Sequence, residues 1–194
     1  MPKRDENHME AQRERIVRAV LECVADKGVE RTSIADICRK AGMSTGAVYL
    51  HYRNKDDLVA AALRYATTTD KALPETWSKM VGLIVSLGDQ LGFDIATIAR
   101  IRLHLYAESV APGQLHELYR PIMKRAFDEW ATTLRTMAER GEIRLRMSPA
   151  QTARVIAALF DGLLWIALAT DRPLEKVKSD LAASLACLVE DLTL

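Results

Sequence analysis

Two short helices separated by a tight turn are predicted between residues 32 and 52, and no other feature constrains the chain as strongly. Thr32 and Ser33 supply N-cap chemistry for the first helix, and Gly42 suits its end. Ser44 supplies a cap for the second helix. Apolar side chains at helical spacing give the pair a face that can pack against an earlier helix. This is the helix-turn-helix pattern, in which the second helix enters the major groove of DNA.

Positive charge is concentrated in the segment that holds these two helices. The 194-residue chain has a formal charge of +1, whereas residues 31–55 contain five basic residues and one acidic residue. No acidic side chain occurs between Cys38 and Asn54. A basic segment in a nearly neutral chain favours a local anionic partner over a charged overall surface.

The rest of the chain is predicted to be helical as well. Hydrophobic residues make up 49% of the sequence, and nine glycines and six prolines are few helix breakers for this length. We therefore predict an all-α fold with about nine helices, in which a three-helix helix-turn-helix domain precedes a helical bundle. The predicted helices cover residues 11–27, 34–41, 45–52, 55–69, 75–91, 93–110, 114–140, 149–170 and 173–194.

Helix length changes along the chain, and this change predicts the domain organisation. Residues 1–10 are charged and aperiodic, which predicts a flexible N-terminal arm. The short helices that follow give way to long ones near residues 65–70. We therefore place one domain over residues 11–65 and a second over residues 66–194.

Sequence motifs of several other function classes are absent. The chain has no P-loop, dinucleotide-binding or zinc-protease motif, its histidines lack metal-ligand spacing, and its cysteines form no C-x-x-C pair. Glu108, Asp128 and Glu129 are spread along helices and are predicted to face solvent. The longest apolar stretch, residues 155–169, contains Asp161 and is short for a membrane span. We predict a cytoplasmic protein without enzymatic activity, metal, cofactor or membrane partner.

The run TSIADICRKAGMSTGAVYLHYRNKDDLVAAAL, residues 32–63, resembles the N-terminal domain of the TetR family of bacterial transcriptional repressors. The matching residues are Thr32, Ser33, Ile37, Ala41, Gly42, Ser44, Gly46, Tyr49, Tyr52, Lys55 and Leu58. Tyr52 stands where the family often has phenylalanine. The resemblance covers about residues 11–65 with unbroken spacing. It implies a repressor that a small-molecule ligand releases from a palindromic operator, with a C-terminal ligand-binding and dimerisation domain.

The resemblance also implies which residues contact the double-stranded DNA operator. The residues expected to contact phosphate are Thr32, Ser33, Tyr49, His51 and Lys55. The residues expected to lie at base edges or close to the DNA backbone are Ser44, Thr45, Gly46 and Ala47. Phosphate contacts set register and affinity, whereas contacts to base edges set the preferred sequence.

The eighth predicted helix indicates a second copy of the chain as a partner. It is apolar almost all round between Val155 and Ala169, so more than one of its sides needs covering. One side can face its own domain and the other the same helix of a second copy, although a monomer with a fully internal helix is an alternative. The resemblance implies a four-helix dimer interface of the last two helices, with contacts from Val155, Leu159, Gly162, Ile166, Leu181, Leu185 and Leu188.

The central helices carry candidates for a ligand pocket. Core packing is the ordinary role of such residues, but the resemblance implies a cavity between these helices for an unidentified small-molecule effector. The candidates are Trp77, Met80, Phe93, His104, Tyr106, Trp130, Met137, Phe160 and Trp165. A helical adaptor that acts through protein partners is the alternative function.

Overall fold

The structure is a computed structural model that describes residues 3–67, 74–86, 91–173 and 175–192. Within these ranges it has nine helices and two short strands, which confirms the all-α prediction. The helices are α1 (Lys3–Arg31), α2 (Ile34–Ala41), α3 (Thr45–Tyr49), α4 (Lys55–Thr67), α5 (Trp77–Val85), α6 (Ile95–Val110), α7 (Gln114–Glu139), α8 (Pro149–Ala169) and α9 (Glu175–Leu188). The strands are β1 (Ile143–Leu145) and β2 (Val189–Asp191).

Helix boundaries in the N-terminal part coincide with the predicted caps. The Ser33 hydroxyl accepts the backbone N–H of Asp36, and the Asp36 carboxylate accepts the N–H of Ser33, which together form a capping box at α2. Gly42 ends α2 in the left-handed conformation, with a φ of 60°. Ser44 and Asn54 accept N–H groups from the first turns of α3 and α4. Local side-chain chemistry therefore delimits these short helices.

Compactness divides the chain into two units, and the first contains α1 to α4 together with residues 100–120. In this unit α1 packs against α2 and α4, and α2 packs against α3. Its buried apolar side chains include Ile16, Val20, Ile37, Val48, Leu58 and Leu63. The predicted domain boundary between residues 65 and 66 stays a prediction. The first compact unit includes residues 100–120 as well as the N-terminal helices, so its limits are not those of the predicted DNA-binding domain.

The second unit contains the described residues between 74 and 99 and those from 121 onward, which include α5, most of α7, β1, α8, α9 and β2. Helix α9 packs against α5 and α8. Ser148 caps α8 in a capping box with Gln151, and Pro149 occupies the first turn as predicted. The largest fully buried side chains of this unit are Met80, Leu134, Met137, Ile156, Leu164, Leu181 and Leu185.

The two ends of the chain differ from the prediction. Residues 3–10 belong to α1 rather than to a separate arm, and the helix there is supported by pairs one turn apart, such as Glu10 and Arg13 at 3.3 Å. The last helix ends at Leu188 instead of continuing to the C-terminus. Strand β2 follows it and pairs antiparallel with β1, where an Arg144–Glu190 ion pair of 3.0 Å crosses the strands.

Candidate nucleic-acid interface

The first turn of α3 forms a small, open surface. Ser44, Thr45 and Gly46 are exposed, and Ala47 is half-buried. A Cβ atom added at Gly46 would have no heavy atom within 4 Å, so nothing in the described residues covers this turn. The Ser44 hydroxyl accepts the N–H of Ala47 at 3.2 Å. Small side chains and exposed backbone let this end of the helix approach another molecule closely.

The C-terminal end of α3 presents large side chains instead. Val48 is buried and anchors the helix, whereas Tyr49 is 48% exposed. Leu50, the C-cap residue, is 81% exposed and was not predicted as a site residue. Helix α3 ends at Tyr49 and not at Tyr52. Leu50 stands two positions after Val48, about 200° around a helix, so it points away from the face that Val48 buries. A leucine on this polar surface is the local signal that sequence analysis overlooked.

His51 lies in a chain of polar contacts with α1. Its Nε2 is 2.9 Å from the side-chain oxygen of Gln12, whose nitrogen is 2.9 Å from His8 Nε2. Its Nδ1 is buried without a hydrogen-bond partner among the described residues. Burial lowers the pKa of His51, and nearby Arg13 and His8 lower it further, so the neutral ring is favoured. This ring has no free N–H for a phosphate, and the contact expected of His51 is not supported.

The residues expected to bind phosphate around α2 and α4 differ in availability. Thr32 is buried and its hydroxyl donates to the carbonyl of Gly28 at 2.6 Å, so this side chain has no donor exposed for a phosphate. Ser33 is exposed at the start of α2, but its hydroxyl and its N–H both donate to the Asp36 carboxylate, at 2.5 and 3.0 Å. The Lys55 ammonium donates to the carbonyl of Glu30 at 3.2 Å and has two further N–H donors. Lys55 therefore stays a candidate, and the phosphate contact expected of Ser33 stays a prediction that requires replacing its bonds to Asp36.

Part of the basic charge in this segment is paired internally. The Asp36 carboxylate contacts the ammonium of Lys27 and lies 2.6 Å from the guanidinium of Arg39. The hydrogen bond from Lys27, with those from Ser33, holds the pKa of Asp36 well below its usual range. Lys40 is 3.3 Å from an Asp26 oxygen, and this contact raises the pKa of Lys40. The Lys27–Asp36 and Lys40–Asp26 pairs attach α2 to α1.

Glu108 is not on a solvent-facing surface, and that prediction is wrong. One oxygen of its carboxylate accepts the backbone N–H of Val29 at 3.0 Å, and the other accepts the N–H of Glu30 at 2.9 Å. Its side chain is 19% exposed. The partners are 78 and 79 residues away in sequence, so no local pattern could have indicated the contact.

The predicted ligand-pocket residues do not lie in one common environment. Five are buried in the second unit and pack as core, namely Trp77, Met80, Phe93, Met137 and Phe160. Trp130 is half-buried, whereas Trp165 is 57% exposed and belongs to the surface of α8 rather than to an internal pocket. His104 and Tyr106 are in the first unit, near Glu108 and Tyr119 respectively. An open groove of about 510 Å³ along α7 is lined by none of these residues. Ligand contact stays a prediction.

Helix α8 leaves part of its apolar surface uncovered. Val155, Leu159 and Gly162 are half-buried, and Ile166 is 45% exposed. Among the helices described, α8 alone is long and apolar enough to cross a bilayer. Length and composition of this kind are also found in core helices, and 33% of its most apolar stretch is buried.

The predicted interface residues on α9 require a correction. Leu181 and Leu185 are fully buried inside their own unit, because this stripe of α9 packs against α5 and α8. They therefore have no surface left for a second copy. Leu188 is half-buried and stays a candidate. The large apolar side chains that α8 and α9 leave exposed, Trp165 and Ile166, lie on α8.

A short exposed helix, capped by serine and packed on α2, which in turn packs on α1, is the arrangement of a helix-turn-helix DNA-binding protein. The family described as bacterial regulatory proteins, tetR family, matches residues 16–62. The C-terminal region described as BetI-type transcriptional repressor matches residues 92–190. The chain belongs to the tetR family and is a DNA-binding transcriptional regulator, which confirms the resemblance seen in the sequence.

Known proteins similar to this chain cover most of its length. It is 30% identical over 150 residues to the A-factor receptor protein of Streptomyces griseus, covering 76% of the chain and 52% of that protein. It is 24% identical over 178 residues to the HTH-type transcriptional regulator BetI of Escherichia coli, covering 87% and 88% respectively. The solved structure of full-length TylP, a TetR regulator from Streptomyces fradiae, has a TM-score of 0.70 and 21% identity, covering 95% and 89%.

Proposed function

We propose that this chain is a homodimeric repressor that binds a palindromic operator through α3 and releases it when a small molecule binds. The observation that carries the proposal is the exposed first turn of α3, where Ser44, Thr45 and Gly46 leave room for a base edge. The charge also favours DNA, because this turn lies in the segment of the chain that has a local positive charge.

The interface divides into residues that read bases and residues that hold the backbone. Thr45 offers a hydroxyl and a methyl group at the exposed start of α3. Leu50 offers an apolar side chain suited to the methyl group of thymine. Tyr49 and Lys55 supply donors for phosphate oxygens, and these contacts set the register of α3 in the groove. The hydroxyl and the N–H of Ser33 both donate to Asp36, so Ser33 lies beside the phosphate contacts without a spare donor.

A second copy of the chain would cover the exposed apolar surface of α8. Trp165 and Ile166 together expose large apolar area on one helix, and a twofold axis beside α8 would bury both in each subunit. Two α3 helices related by that axis would bind half-sites separated by about 34–36 Å or a multiple of this distance. The protein would act in the cytoplasm, where the operator is.

Release by a ligand is supported by the relatives and by the chemistry of the second unit. One relative is named a receptor, and the BetI-type C-terminal region covers residues 92–190 of this chain. The buried aromatic and methionine side chains around Trp77, Met80 and Met137 are suited to an apolar or aromatic effector. Such a ligand weakens operator binding only if it prefers the conformation that does not bind DNA.

A matched pair of glycine substitutions tests DNA binding through α3. Gly46→Glu places a negative charge on the proposed interface, and Gly113→Glu places the same charge on the loop before α7. Neither added side chain meets an atom within 4 Å, and an acidic residue in the first turn of α3 favours the helix. Binding is measured by gel shift with DNA that flanks the gene for this chain and with random DNA.

We expect Gly46→Glu to fold normally and to lose binding to the flanking DNA, while Gly113→Glu binds as the unmodified protein does. Equal binding by both variants would show that α3 is not the interface. Failure of the unmodified protein to prefer any DNA fragment would favour the adaptor function instead.

A further inference from the structure

Gly28 interrupts α1 and leaves two backbone donors to be satisfied from outside the helix. Its φ and ψ of 83° and 171° are not helical, although residues 29–31 form another helical turn. The first N–H groups of any helical turn lack acceptors within the helix. Those of Val29 and Glu30 are accepted by the two oxygens of Glu108, at 3.0 and 2.9 Å. Glu108 therefore caps this turn from a distant part of the chain.

The glycine makes this cap possible in two ways. Its positive φ is one that residues with a side chain rarely adopt. A Cβ atom at position 28 would also overlap the Glu108 carboxylate and lie 3.1 Å from Nδ1 of His104. The bend at Gly28 and the position of Glu108 on α6 are thus matched to each other.

The capped turn is also attached to the helices that form the candidate interface. The carbonyl of Glu30 accepts the Lys55 ammonium at 3.2 Å, at the start of α4. The carbonyl of Gly28 accepts the Thr32 hydroxyl at 2.6 Å, immediately before the cap of α2. The N–H groups of this turn therefore bind Glu108, while its carbonyl groups bind Thr32 before α2 and Lys55 at the start of α4. The turn connects Glu108 to both helices.

We propose that Glu108 is a positioning residue for operator binding. Its carboxylate fixes the peptide groups of Val29 and Glu30, and these in turn set the position of the Lys55 ammonium and of the N-terminus of α2. Hydrogen bonds to an ionised acceptor are stronger than those to a neutral one, so both bonds depend on the charge of the carboxylate. Because α6 carries Glu108, a displacement of α6 relative to α1 breaks both bonds together. The role in operator binding rests on the proposed function.

Glu108→Gln tests the proposal, with Glu117→Gln as the control at an exposed position of α7. Glutamine keeps the shape but is neutral and has one acceptor oxygen. Without DNA, we expect hydrogen exchange of the Val29 and Glu30 amides to accelerate about tenfold in Glu108→Gln. Glu108→Asp, which keeps the charge but is shorter, provides a second variant if the glutamine protein folds poorly.

Operator affinity across a salt series distinguishes a positioning role from a loss of folded protein. We expect Glu108→Gln to weaken operator binding about tenfold and to reduce the salt slope by up to about 0.9 per half-site, as loss of the Lys55 phosphate contact would. In a Lys55→Ala background, Glu108→Gln should cause little further change in slope. A merely structural defect lowers the active fraction and leaves the slope unchanged.

Unchanged amide exchange in Glu108→Gln would overturn the proposal, and so would faster exchange with normal operator affinity and slope. If the unmodified protein bound no operator, the proposed function and this role would both fail. The exchange experiment would still establish or refute the contact itself, so the two failures are distinguishable.

Discussion

The first unit, which contains the helix-turn-helix, and the second unit differ in the interactions that stabilise them. Helices α2 and α3 have eight and five residues, and isolated helices this short are not stable in water. They depend on caps at Ser33 and Ser44 and on ion pairs with α1. In the second unit, the 21-residue α8 is stabilised by apolar burial and still exposes large apolar side chains such as Trp165.

This difference indicates where each unit interacts. In the first unit, polar groups organise a small surface that is complete within one chain and suits a charged, polar partner. In the second unit, apolar surface on α8 remains without a cover among the described residues of one chain. The first surface is suited to DNA, and the second to another copy of the same protein.

The largest effect is expected from a charge on the apolar surface of α8. Ile166→Asp should prevent dimer formation, because an unpaired carboxylate would be buried in the interface. Loss of linkage between two half-sites should weaken operator binding by roughly a hundredfold or more. Sedimentation gives the molecular mass and gel shift gives the affinity.

Ala150→Asp is the control for this substitution, since it introduces the same charge in the exposed first turn of α8, where an acidic residue is favoured. It should remain dimeric. A dimeric Ile166→Asp protein with normal operator affinity would mean that the surface around Ile166 is not the interface.

A smaller effect is expected in the core of the second unit. Leu185 is fully buried by its own chain, so Leu185→Ala should lower the free energy of unfolding by about 2–5 kcal/mol. The folded protein should keep the oligomeric state of the unmodified chain. Denaturant unfolding and sedimentation of the folded variant measure the two quantities, with exposed Cys187→Ala as the control. A folded but monomeric Leu185→Ala protein would show that Leu185 belongs to the dimer interface after all.

The caps were predictable from sequence because each acts over three or four residues. Ser33, Ser44, Asn54 and Ser148 all cap the helices expected of them, and Gly42 ends α2. Sequence-local chemistry therefore gave the helix order and the position of the helix-turn-helix.

The features that sequence analysis missed depend on distant parts of the chain. Strand β2 forms because β1 lies beside it, although the sequence there is compatible with a continued helix. Leu181 and Leu188 share an apolar stripe of α9, but Leu181 is fully buried by its own chain and Leu188 only in part. Periodicity identifies an apolar face without indicating whether its own chain or a second chain covers it.

The smallest of these effects should appear in acid. The pKa of Asp36 is lowered in the folded protein, so this carboxylate stabilises the fold above its ordinary pKa of about 3.9, and the contribution is lost as the pH falls. Asp36→Asn should lower the thermal midpoint at pH 7 and differ less from the unmodified protein near pH 3. Thermal unfolding at both pH values measures this, with exposed Asp128→Asn as the control. A difference independent of pH would contradict the assigned ion pair.

The central claim is that α3 reads DNA sequence while the start of α4 binds phosphate. It is tested most directly by the affinities of Thr45→Ala and Lys55→Ala for operator and random DNA across a salt series. Thr45→Ala should cost roughly 1–3 kcal/mol on the operator and leave random-sequence affinity nearly unchanged. Lys55→Ala should weaken both DNAs about equally and reduce the salt slope by about 1.8 for a dimer, or about 0.9 for each lost phosphate contact. Equal weakening of both DNAs by Thr45→Ala, with an operator-specific effect of Lys55→Ala, would contradict the claim.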